Sequence, residues 1–197
     1  MSKHEQNQSA ESAQPDAENG STLLKLARSE IGSKLGHELS LLAQADWLNE
    51  PGACFVTLTR QGELRGCIGT LEAHRPLGVD VRENAVAAAF RDPRFTPLTL
   101  VEFDDIRVEV SLLSPTEVLV VASEEHALAS LRPGVDGVVF EYRHYRSTFL
   151  PQVWEQLPEP AEFMAYLKRK AGLSTDFWAE DVRLSRYTVS KWKESSA

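Results

Sequence analysis

The chain has 197 residues, 29 acidic against 21 basic, a net charge of −8, 42% hydrophobic residues and two cysteines. That length suits one domain, or one domain built of two lobes, with a core large enough to fold unaided. The charge argues against a general nucleic-acid or anionic-membrane binder, two cysteines cannot staple a secreted mini-domain, and no apolar run approaches the ~20 residues that span a bilayer.

Met1 is followed by Ser, Lys, His, Glu, Gln and Asn with no apolar export segment, so the expected location is cytoplasmic. Residues 1–20 hold no large apolar residue besides Met1 and carry three of the eight net negative charges. Such a segment cannot bury enough surface to offset the entropy of ordering, and is expected to be a dispensable, disordered acidic tail. The domain proper is expected over 21–190, with a short C-terminal tail over 191–197.

Ser21 or Thr22 can cap a helix with apolar positions Leu23, Leu26, Ala27 and Ile31, which Gly36 ends or kinks. A second apolar stretch, Leu39 to Leu42, leads to Trp47, Leu48 and a turn at Pro51-Gly52. The period then changes: Ala53–Thr59 and Leu64–Thr70 read as strands joined by a turn containing Gln61-Gly62. Pro76 suits the start of a helix that runs to about Arg91, where Asp92-Pro93 stops it. Thr99 with Glu102 has the spacing of a capping box. Ile106–Leu113 alternates strictly, as a half-buried antiparallel strand does. Further along, strands are expected at 118–121, 138–142, 146–150 and 182–189, and helices at 123, 151 and 162–171. Hairpin returns outnumber helical crossovers, so the fold class is α+β with a mostly antiparallel sheet flanked by helices.

The most informative stretch is Leu64-Arg65-Gly66-Cys67-Ile68-Gly69-Thr70. With a three-residue loop before it, Cys54, Val56, Leu58, Leu64 and Ile68 share an apolar face, and Thr57, Thr59, Arg65 and Cys67 a polar one. Arg65 and Cys67 then point the same way, about 7 Å apart by strand rise. A guanidinium beside a thiol favours the nucleophilic thiolate, and Gly66 and Gly69 clear space on either side for a ligand or another backbone. Taken alone, a single strand cysteine is more often a small packing residue.

These residues resemble the AMMECR-one domain family, known in bacteria and archaea as protein A of the AmmeMemoRadiSam system. The similarity runs over nearly all of 22–190. Its hallmark is Leu64-Arg65-Gly66-Cys67-Ile68-Gly69, and it continues through Arg75-Pro76-Leu77, Asp92-Pro93-Arg94-Phe95, Glu109-Val110-Ser111, Leu131 to Gly137 and Thr148 to Trp154. The resemblance implies an α+β domain with a larger and a smaller lobe, and Memo-like and radical-SAM proteins as partners. It supplies no reaction and no cofactor.

Other candidates gather around the hallmark. Glu109 and Ser111 lie on the polar face of their strand, where Glu109 could pair with Arg65 or act as a base toward Cys67; a solvated cross-strand pair is the plainer reading. Thr148 and Gln152 flank the start of a short helix and could bind an anion and a substrate amide, while Arg94 could add a second positive charge. The five histidines show no HExxH, HxH or CxxC companion, so no metal site is expected. Two functions from different classes follow: a thiol-dependent catalyst with Cys67, Arg65 and Glu109 at its centre, or a non-catalytic binding module using the same surface.

Overall fold

The computed structural model describes residues 17–37 and 45–195. The expected acidic tail, apart from 17–20, and the apolar stretch Leu39 to Leu42 lie outside the described residues. Helix α1 (Ala17–Lys34) starts earlier than its Ser21/Thr22 signal. Thr22 Oγ1 donates back to the Glu18 carbonyl at 3.1 Å instead of capping the helix. Gly20 is buried because the indole of Trp192 occupies the space its side chain would fill.

Strands β1 (Ala53–Arg60) and β2 (Glu63–Gly69) form a hairpin, and α2 (Leu77–Phe90) lies across them with Ala85, Ala88 and Ala89 buried. Asp80, fully buried in α2, binds this region together. It accepts from the Cys54 N–H at 2.9 Å, Thr70 Oγ1 at 2.6 Å, Asn84 Nδ2 at 3.0 Å and Arg75 Nε at 2.8 Å. A buried carboxylate survives only with donors of this kind around it. The short helix α3 (Leu100–Phe103) carries the expected capping box, with the Thr99 N–H and hydroxyl both on Glu102. Strand β3 (Ile106–Leu113) matches its expected bounds.

The chain then builds a second unit from β4 (Glu117–Leu119), α4 (Glu124–Ser130), β5 (Gly137–Tyr142), β6 (Tyr145–Phe149), a 3-10 turn over Pro151–Glu155, α5 (Pro160–Lys170) and β7 (Arg183–Tyr187). Only Thr188 separates β7 from β8 (Val189–Lys193), which returns to the first unit. The single strand expected over 182–189 is thus two strands in two sheets, and residues 191–193 are strand rather than tail.

Both sheets are antiparallel, with orders β2-β1-β3-β8 and β4-β7-β5-β6, which gives the α+β class read from the sequence. Each sheet has its own core, and a small cluster of Ala53, Leu113, Val139 and Tyr187 joins the two. No helix among the described residues is long and apolar enough to cross a membrane.

Candidate functional site

The hairpin decides which side chains share a face. Its turn has only two residues, Gln61 and Gly62, at φ of 53° and 87°. Such a turn matches the twist of the strands but would leave the register one residue out. The chain corrects this with a bulge: Leu58 pairs with Gly66 and Thr59 with Leu64, so Arg65 is the extra residue. Beyond it the ladder runs straight, Thr57 facing Cys67 and Phe55 facing Gly69.

Arg65 therefore does not stand beside the thiol. It is 9% exposed and turned toward α3. There its Nε donates to Glu102 Oε1 at 3.0 Å and its Nη2 to the Thr96 carbonyl at 2.9 Å, with the guanidinium over the Phe95 ring at 5.8 Å. The expected Glu109–Arg65 pair is replaced by Glu102–Arg65. Leu64, expected on the apolar face, is 42% exposed for the same reason. Gly66 faces α2, where a Cβ would sit 2.1 Å from the Ala88 carbonyl oxygen. Its missing side chain admits a helix, not a ligand.

Cys67 keeps its expected face. The rows Cys67–Thr57–Glu109–Lys193 and Gly69–Phe55–Ser111–Lys191 run across the four strands on one side of the sheet. The second unit faces them across a cavity of about 450 Å³, lined by Thr57, Cys67, Glu109, Ser111 and Lys191 on one side and by Val135, Leu150 and Gln152 on the other. Thr57 Oγ1 donates to Cys67 Sγ at 3.3 Å. Gly69 lies under the Phe55 ring, whose atoms a Cβ would meet at 2.3 Å, so this glycine lets the ring lie flat on the cleft floor.

The cleft thus gathers Cys67, Glu109, Ser111 and Gln152 from the sequence candidates. It does not gather Arg65, Gly66, Thr148 or Arg94. Thr148 is buried, its hydroxyl 3.1 Å from the Tyr187 hydroxyl, which leaves it no anion to bind. Arg94 holds the cysteine's main chain: Nη2 donates to the Cys67 carbonyl at 3.2 Å and to Asp92 at 2.7 Å. Asp92 in turn accepts the Cys67 N–H at 2.9 Å. Because β2 is the sheet's edge, these two side chains stand in for a neighbouring strand and fix Cys67 from outside. The sequence reading missed Asp92 and Lys191. Among the described residues no group of three or more His, Cys, Asp or Glu could hold a metal ion.

Two carboxylates around this strand are held well below their usual range. Hydrogen bonds from Arg94 do this for Asp92, and those from Arg65 lower Glu102 from 4.5 to about 2. A depressed folded-state value gives stability that is complete above the unfolded value and lost as pH falls through the folded one. Denaturant midpoints should therefore hold down to about pH 5 and fall between pH 4.5 and 2. Glu102→Gln should flatten part of that fall. An unchanged profile in the variant would remove Glu102 from the account. Burial pushes the Cys54 thiol far in the other direction, and it is inert in the core.

The AMMECR1 family pattern matches residues 24–192. The chain belongs to the AMMECR1 family. An AMMECR1 relative from Methanocaldococcus jannaschii is 39% identical over 182 residues, spanning 90% of each chain. One from Thermotoga maritima is 40% identical over 141 residues, 71% of this chain and 76% of the relative. The crystal structure of an uncharacterised Pyrococcus horikoshii protein has the same fold, with a TM-score of 0.70, 35% identity, and coverage of 89% of this chain and 91% of that one. The AMMECR1 assignment agrees with the sequence blocks that resembled the family. In this AMMECR1 domain the hallmark is divided: Cys67 lines the cleft and Gly69 lies under the Phe55 ring on the same side, while Arg65 and Gly66 face the helices.

Proposed function

We propose that this AMMECR1 domain is a thiol-dependent catalyst, with Cys67 as the reacting group in the cleft between its sheets. The observation that supports this reading is the presentation of Cys67. Cys67 lines the cavity with its Sγ under a Thr57 hydrogen bond, and its main-chain N–H and carbonyl are held from the sheet's outer edge by Asp92 and Arg94. A group held this firmly loses little further freedom on reaction. In the reaction the Cys67 sulfur bonds to an electrophilic acyl carbon of the substrate as that carbon's bond to its leaving group breaks. Attack of water on the resulting thioester releases the acid and restores the thiol. The thiol proton passes to the Glu109 carboxylate or to water and then to the departing group. Arg65 supports the strand through Glu102 and takes no part. A reducing cytoplasm would keep Cys67 in the thiol form, and Memo-like and radical-SAM proteins, brought in by the family resemblance, would supply or consume the substrate.

A second reading, a non-catalytic binding module on the same surface, is favoured by one observation: the arginine expected to charge the thiol is turned away from it. Alkylation with iodoacetamide, followed by intact-protein mass, decides between them. Catalysis expects one rapid modification at Cys67 and none at Cys54. Slow modification at Cys67 would sink it. Docking of a partner would then survive Cys67→Ser, whereas catalysis would not.

A further inference from the structure

Several arginines elsewhere in the fold are tied to protein partners. Arg28 bonds Glu194 and the Phe103 and Ile106 carbonyls, Arg132 bonds Asp136, and Arg94 bonds Asp92. Among the described residues Glu109 and Lys191 have neither an ion pair nor a side-chain hydrogen bond. Glu109 faces Lys193 across the β3–β8 ladder, and Lys191 is its diagonal neighbour on the cleft side. Diagonal neighbours are about 7–8 Å apart. Long side chains can close that separation, yet these two stay unpaired, which leaves room for a small molecule between them. Glu109 is half-buried, so its carboxylate has given up part of its water without gaining a protein donor.

We propose that the cleft takes a zwitterion of amino-acid or dipeptide size, its ammonium group on Glu109 and its carboxylate on Lys191, an inference that rests on the cleft being the working site. A volume of about 450 Å³ is of the size that holds a small molecule rather than a folded partner. Glu109 shares its row with Thr57 and Cys67, which sets the ammonium end toward the thiol. Val135, Leu150 and Val189 give an apolar surface for a side chain, and Gln152 and Ser111 can hold an amide.

The test is protection of Cys67 from iodoacetamide, with thermal unfolding read in parallel. The probes are the twenty amino acids and the Gly-Xaa and Xaa-Gly dipeptides. The expected result is a member that slows alkylation and raises the unfolding temperature. Its N-acetyl and its C-terminal amide forms should bind about 10–100-fold more weakly, the loss expected when a charge-assisted hydrogen bond is removed. Glu109→Gln should abolish discrimination against the N-acetyl form and Lys191→Met against the amide, while Lys193→Met leaves both intact. Circular dichroism of the variants confirms that they fold. Blocked forms that protect as well as the free one, or a panel without protection although Cys67 is alkylated rapidly, would overturn the zwitterion. A Cys67 that resists alkylation from the start would instead overturn the cleft as the working site.

Discussion

Gly66→Ala should lower the stability of this AMMECR1 domain by about 3 kcal/mol, the upper part of the range for inserting a methyl group into a packed interior. The added Cβ would lie 2.1 Å from the Ala88 carbonyl oxygen, and that oxygen is helix backbone rather than a side-chain tip. Helix α2 cannot retreat at little cost. Asp80 ties it to β1 through the Cys54 N–H, and Ala85, Ala88 and Ala89 are already in contact with the sheet. Against a total of about 5–15 kcal/mol for an ordinary domain, the loss would be plain in a urea midpoint. Gly62→Ala is the comparison. That glycine has φ of 87° and nothing within 4 Å, so only backbone strain of about 1 kcal/mol applies. If the two variants were equally stable, the close approach of α2 to β2 would not be what fixes glycine at 66.

Arg65→Met should cost about 2–4 kcal/mol, since it removes the less exposed of the two guanidinium partners of a largely buried carboxylate. The Glu102 side chain is 17% exposed and keeps bonds from Thr99 and Arg60, which sets the estimate below that for a fully buried pair. The Thr96 carbonyl loses its donor as well. A double-mutant cycle with Glu102→Gln should return a coupling of about 1–3 kcal/mol. The rate of Cys67 alkylation, corrected for the folded fraction, should not change. A stable Arg65→Met protein with an altered thiol would restore the arginine to the site.

The difference between those two outcomes shows what the sequence could reveal. Alternation along Ile106–Leu113 and the Thr99–Glu102 spacing are local signals, and the structure follows both. The parity of the hairpin is not local. A three-residue loop and a two-residue turn with a bulge put Cys67 on the same face, so its grouping with Glu109 and Ser111 was legible. They put Arg65 on opposite faces, and only the position of Glu102 on α3 decides between them. Lys191 was hidden for another reason. The largely polar residues 191–193 read as the start of a tail until Trp192 is seen filling the gap over Gly20. The same contact explains why α1 begins before its capping signals. The Asp92-Pro93 pair signals a helix stop in the sequence, which it is, and the second task of Asp92 at Cys67 depends on β2 being an edge.

The closing of the first sheet by β8 has a consequence for synthesis. All four strands of the second sheet lie in the sequence between β3 and β8. A nascent chain therefore holds the whole second unit before it holds the strand that completes the first. Until then β3 has a bare edge, and Arg28 lacks the Glu194 carboxylate that comes 166 residues later. The unit begun first is finished last. Its cleft, with Lys191 on the final strand, comes into being only when both units are in place, so a growing chain carries Cys67 for most of its synthesis without the pocket that Cys67 lines.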